Sequence, residues 1–163
     1  MMLGLSLSTF TTIHVIISLI AIATGFVTVF GMLTGNRMAR WTAIFLVMTV
    51  LTSVTGFGFP FTQLLPSHVV GIISLAVLAV AIIGLYVFRL SGAWRWIYIA
   101  CAVFPLYLNC FVGVVQAFMK IPALKALAPT QAEPPFLVAQ LLLLVVFIVL
   151  GFLAVRRFTP AAA

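Results

Sequence analysis

Residues 136–157 read FLVAQLLLLVVFIVLGFLAVRR. The twenty positions from Phe136 to Val155 hold no charge, and Arg156 and Arg157 close the run. At about 1.5 Å per residue, a helix of that length covers roughly 30 Å, the hydrocarbon thickness of a bilayer. This stretch therefore reads as a membrane-spanning helix anchored at its end by two arginines.

The pattern recurs four more times toward the N-terminus. Apolar runs extend from Phe10 to Leu33, Trp41 to Phe59, His68 to Phe88 and Trp96 to Met119. Turn signals separate them: Gly35-Asn36 after the first, Pro60 after the second, and the basic stretch around Gly92 after the third. Ser67 is expected to cap the third helix, and Pro105 should kink the fourth. The segment 120–135 contains Pro122, Pro129, Pro134 and Pro135 and is expected to be a loop, with a short interfacial helix over Ile121–Leu127. Alternating segments of about ten residues, as a membrane barrel needs, are absent. The expected fold class is all-α: an integral membrane helical bundle of five transmembrane helices, forming a single domain over residues 1–163.

Composition agrees. Of 163 residues, 66% are hydrophobic and 6% charged, against about 25% charged in a soluble domain. The net charge of +7 comes from eight Lys and Arg and one acid, Glu133. These bases lie in the connections between apolar runs, so they read as topology signals and headgroup contacts, and no nucleic-acid partner is expected. Arg37, Arg40, Arg89, Arg95, Arg156 and Arg157 fall on one side of a five-span chain, and Lys120 and Lys125 on the other. The positive-inside rule then puts the N-terminus outside and the C-terminus in the cytoplasm. Met1–Thr12 lacks the basic n-region of a cleavable signal, so the first run is expected to be retained as a span. Cys101 and Cys110 are nine residues apart in one run. At about 100° per residue they take opposite helix faces and cannot pair.

Polar groups in lipid must meet a partner, a cavity or a ligand, so their placement guides the search for function. His14, Ser18, Ala21, Gly25 and Thr28 share one face of the first span and should pack against protein. His14 and His68 are the two histidines of the chain, and both are expected near the outer rim. Two histidines from facing helices are the usual axial pair of a b-type haem, and they would also suit a quinone headgroup or two positions on a metal. Pro105, Asn109, Gly113, Gln116 and Lys120 form a stripe along the fourth span, and Gln140 lies near the outer side of the fifth. Gln116, Gln140 and Lys120 are accordingly expected to line the same pocket, with Lys120 placed to meet an anionic group. The glycines of Thr55-Gly56-Phe57-Gly58-Phe59-Pro60-Phe61 would let a flat ligand approach the backbone, or the stretch is an aromatic belt at a helix exit. With no Asp and one Glu, the chain offers no acid pair for hydrolysis and no carboxylate relay. There is also no nucleophile elbow and no phosphate loop.

Two stretches, TVLTSVTGFGFPFTQLLPSH (49–68) and LNCFVGVVQAFMKIPALKALAPTQAEPPF (108–136), resemble segments of small, uncharacterised proteins of the bacterial inner membrane. The resemblance implies a multi-span bacterial protein and brings no activity with it. A general similarity to haem-binding four-helix membrane cytochromes rests on the small bundle with histidines near one face. Three functions follow as expectations. The first is a binding or redox module holding haem b or a quinone-like ligand through His14 and His68. The second is an accessory subunit of a larger membrane complex, or a homo-oligomer. The third is a small transporter or channel.

Overall fold

A computed structural model describes residues 6–60 and 66–159. Six α-helices follow one another: α1 (Leu7–Leu33), α2 (Ala39–Gly56), α3 (Pro66–Ile82), α4 (Trp94–Lys120), α5 (Pro122–Leu127) and α6 (Pro134–Arg157). A π-helical turn, Ile83–Val87, extends α3. Among the described residues five of these helices are long and apolar enough to cross a membrane. The fold is the expected all-helical bundle of five spans, and the short helix foreseen after the fourth is α5.

The helix ends differ from expectation where caps and prolines decide them. Ser6 accepts a hydrogen bond from the Thr9 amide at 3.1 Å, so α1 starts three residues before Phe10. Its other end is a Schellman closure. Gly35 takes φ +73°, its amide reaches Met32 O, and the Asn36 amide reaches Gly31 O at 2.8 Å. The second span ends at Gly56, not Phe59, and Phe57-Gly58-Phe59 turns instead. Ser67 is not a cap. It lies inside α3 behind Pro66, whose fixed φ suits a first helical turn. Pro134 and Pro135 likewise begin α6, with Glu133 as its N-cap.

α4 is the central helix, packed against α1, α2, α3 and α6. Tyr98, Ile99, Ala102 and Leu106 carry its buried face into a core shared with Met32, Phe45, Leu78 and Phe158. Pro105 is also buried within α4 and withholds the amide that the Cys101 carbonyl would otherwise accept from. The small face of α1 is a helix seam, as expected. Ala21, Thr24, Gly25 and Thr28 are buried. A Cβ on Gly25 would stand 2.5 Å from Leu106 Cδ1 and 2.9 Å from the Phe45 ring. Hydroxyls along these seams donate to carbonyls of their own helix, Thr28 to Thr24 at 2.9 Å and Thr49 to Phe45 at 2.7 Å. These hydroxyls are thereby satisfied without water, as lipid depth requires.

The bundle has two unlike ends. At one, Arg95 donates from Nη1 to the carbonyls of Val155 (3.0 Å) and Phe158 (2.7 Å), tying the start of α4 to the end of α6. Gly35, in the α1–α2 turn, faces the Arg157 carbonyl there. The six arginines thus belong to a single end. The other end holds α5, Glu133 and both histidines.

Candidate ligand site at the histidine end

His14 lies two turns into α1 and is half-buried. Its Nδ1 is 2.7 Å from Thr55 Oγ1, at the last turn of α2. Thr55 has one hydroxyl proton, and the Leu51 carbonyl takes it at 2.6 Å. The Thr55 oxygen therefore accepts, and Nδ1 of His14 carries the donated proton. In the neutral ring this leaves the lone pair on Nε2. A histidine held through one nitrogen, with the other offered as a base, has the arrangement of a metal-ligating or proton-accepting imidazole.

The ring is also positioned by aromatics. Phe59 meets it edge-on, with centroids 5.2 Å apart, and Phe10 meets Phe59 at 5.1 Å. Gly58 makes this possible, because a Cβ there would come within 2.6 Å of Phe10 Cζ. Gly56 stands beside His14, a Cβ built on it lying 4.0 Å from Cε1.

His68 is at the start of α3, 3% exposed. It stacks on Phe57 with centroids 5.6 Å apart and planes 25° from parallel. Gly71, one turn further, leaves room for the same Phe57 ring, since a Cβ there would lie 3.1 Å from it. Phe57 thus packs toward α3 and Phe59 toward α1, so the turn between them separates the two imidazoles' aromatic partners. α1 and α3 make no extensive contact with each other, and α2 packs against both. The glycines in this stretch make room for the protein's own rings. Phe61 lies outside the described residues.

The remaining residues expected at the site are distributed differently. Gln116 and Lys120 are exposed on the last turns of α4. Gln140 is half-buried and donates from Nε2 to the Phe111 carbonyl at 3.2 Å, joining α6 to α4. Its Oε1 and Asn109 Nδ2 are buried without partners. Among the described residues no hydrogen bond joins Gln116, Lys120 or Gln140 to His14. Thr55, Phe10, Phe57 and Phe59 are the residues that sequence reasoning missed as ring partners. A signal for Thr55 existed: the reflection about Gly35 that pairs Gly25 with Phe45 brings position 14 to 56, one residue from Thr55. Among the described residues no three His, Cys, Asp or Glu side chains group as a metal site.

The fold and this end of it define a helical membrane protein with a held histidine at one rim. No family model, curated protein or solved structure matches the chain.

Proposed function

We propose that the protein is a small binding module of the bacterial inner membrane, N-terminus outside and C-terminus cytoplasmic. In this reading its histidine end holds a flat redox-type ligand, haem b or a quinone. The observation that carries the reading is the His14–Thr55–Leu51 chain, which presents Nε2 of His14 as an electron-pair donor. A haem iron and a quinol hydroxyl both take such a pair, one as a coordinate bond and the other as a hydrogen bond. His14 is the imidazole offered to the ligand, and the apolar rings of Phe10 and Phe59 beside it keep water away, while His68 stacks on Phe57 on the α3 side of the turn.

The test is the absorption spectrum and organic-solvent extract of protein freshly purified from haem- and quinone-replete cells. A Soret band identifies haem, and an extracted quinone without the band identifies the other ligand. Either is expected to be lost in His14→Ala. Thr55→Val keeps the ring but removes its orienting acceptor, and retention should fall by about 10- to 100-fold. Colourless protein with no quinone in its extract overturns the reading.

One observation favours a second reading, an accessory subunit or homo-oligomer. Gly113 has open space around it and Gln116 is exposed one turn inside the end of α4. Small and amide residues on an uncovered helix face suit a neighbouring helix. Disulfide cross-linking from Gly113→Cys, in a background without Cys101 and Cys110, distinguishes a second copy from a foreign partner by the mass of the product.

A further inference from the structure

On the outside of the bundle a groove of about 390 Å³ runs between α2 and the end of α3. Ala43, Val47, Val50 and Leu51 form one wall, and Ile82 and Tyr86 the other. Its origin is local. α2 and α3 are pinned near the histidine end by the Ser53–Ser74 hydrogen bond (3.0 Å) and by Phe57 against Gly71. Toward the arginine end Gly84 draws α3 onto α4, where a Cβ would come 3.2 Å from Trp94 Cε3. The helices part between these two pins. The π-helical turn alters the helical phase from Ile83 onward and leaves Tyr86 exposed at the mouth.

Charge at that mouth selects an occupant. Arg40 precedes Ala43 and Val47 at helical spacing, on the same face of α2. Continuing the antiparallel register of Ser53–Ser74 brings Arg40 level with Val87, beside Tyr86 and two residues from Arg89. Arg40 and Arg89 are both exposed. The chain's one acid, Glu133, is at the opposite end and accepts hydrogen bonds from Thr130 and Ala132. Among the described side chains these two guanidinium groups have no carboxylate to meet. The eleven steps from Arg40 to Leu51 span about 16 Å along a helix, close to half of the roughly 30 Å hydrocarbon core. The groove is apolar along its length, about half a hydrocarbon core long, with the Tyr86 phenol at its arginine end and Arg40 and Arg89 beyond it.

We propose that this groove is a binding site for one anionic phospholipid, with an acyl chain between α2 and α3 and the phosphate at Arg40, Arg89 and the Tyr86 hydroxyl. Arginine forks match phosphate oxygens bidentately, and the apolar walls distinguish a lipid from free phosphate.

Native mass spectrometry of the full chain in mild detergent tests it, with phosphatidylglycerol and phosphatidylcholine of identical acyl chains. One phosphatidylglycerol should persist at a collision energy that strips phosphatidylcholine. The R40Q/R89Q variant changes two exposed side chains and should weaken retention on the order of 10- to 30-fold, from two arginines at a lipid surface. Ala43→Phe fills the groove and leaves both arginines, and it should also lose the lipid. The R156Q/R157Q variant should retain it. Equal retention of the two lipids overturns the site. So does equal loss in the two arginine pairs, which would mean a diffuse basic surface. Displacement by millimolar inorganic phosphate, with Ala43→Phe unaffected, would mean a phosphate site without a chain and overturns it as well. A dimer that forms only with the groove unfilled would assign the face to a second copy.

Discussion

At the level of single residues, Gly25 bears the closest approach between α1 and the helices packed on it. It lets α1 meet Leu106 of α4 and Phe45 of α2 at one point. A valine there would need both neighbours to move in a densely packed interior, and overpacking of this kind costs about 1–3 kcal/mol. Gly25→Val is expected to lower the unfolding midpoint in detergent, and Gly113→Val, with open space around it, to leave the midpoint unchanged. Equal effects would show that the seam is not where α1 and α4 are held. Gly25 was legible in the sequence because it repeats at three- and four-residue spacing with Ala21 and Thr28. The fate of His14 was only half legible. Periodicity places it on the protein-facing side of α1, but a hydrogen bond to Thr55 depends on the α1–α2 register. The Asn36 side chain helps set that register by accepting from the Met38 amide at 3.2 Å.

Among the elements, the loop between α4 and α6 shows how one carboxylate organises a turn. Glu133 accepts from the Thr130 hydroxyl at 2.8 Å and from the amides of Thr130 (3.1 Å) and Ala132 (3.1 Å). Gln131, at φ +61°, donates from Nε2 to the Val115 carbonyl and fastens the turn to α4. Desolvation pushes the Glu133 carboxyl up. Hydrogen bonds from the Thr130 side chain and the backbone amides outweigh it and hold the group below its ordinary range. A depressed folded value means that the carboxylate's contribution is present above the unfolded value and lost as pH falls through the folded one. Protection of the Thr130 and Ala132 amides, measured against their intrinsic exchange rates, should therefore hold at neutral pH and in weak acid and fall only below the usual carboxylate range. Glu133→Gln should lower that protection at neutral pH, with little further loss in acid. An unchanged neutral rate in that variant would remove the carboxylate from the turn. The prolines of this segment read as loop residues in the sequence, yet two of them start α6, because a missing amide costs nothing in a first helical turn. The π-helical turn was not legible at all. Its apolar residues, Ile83 to Val87, suit α and π geometry alike, and the choice is made by tertiary packing of Gly84 on Trp94.

For the whole molecule, the five spans were legible because lipid imposes one rule on every segment: satisfy the backbone internally over about 20 apolar residues. Which spans touch was not, since apolar faces in a bilayer carry little information about their neighbours. The two-ended charge distribution leads to the topology prediction. Carrying even one arginine to the centre of the bilayer costs about 2.5–3.5 kcal/mol, so the end holding six of them is expected to stay with the cytoplasmic leaflet. Single cysteines at Ser91 and Ala126, both exposed and at opposite ends of α4, report on this when Cys101 and Cys110 are replaced by alanine. In intact spheroplasts a membrane-impermeant maleimide should label Ala126→Cys and spare Ser91→Cys, and lysis should expose both. Labelling of Ser91→Cys alone would invert the chain and move the histidine end to the cytoplasm. Labelling of both before lysis would mean that α4 does not cross the membrane. The outcome bears on ligand supply, because with the predicted orientation His14 and its aromatic partners meet the outer leaflet, while Arg40 and Arg89 meet phosphates of the inner one.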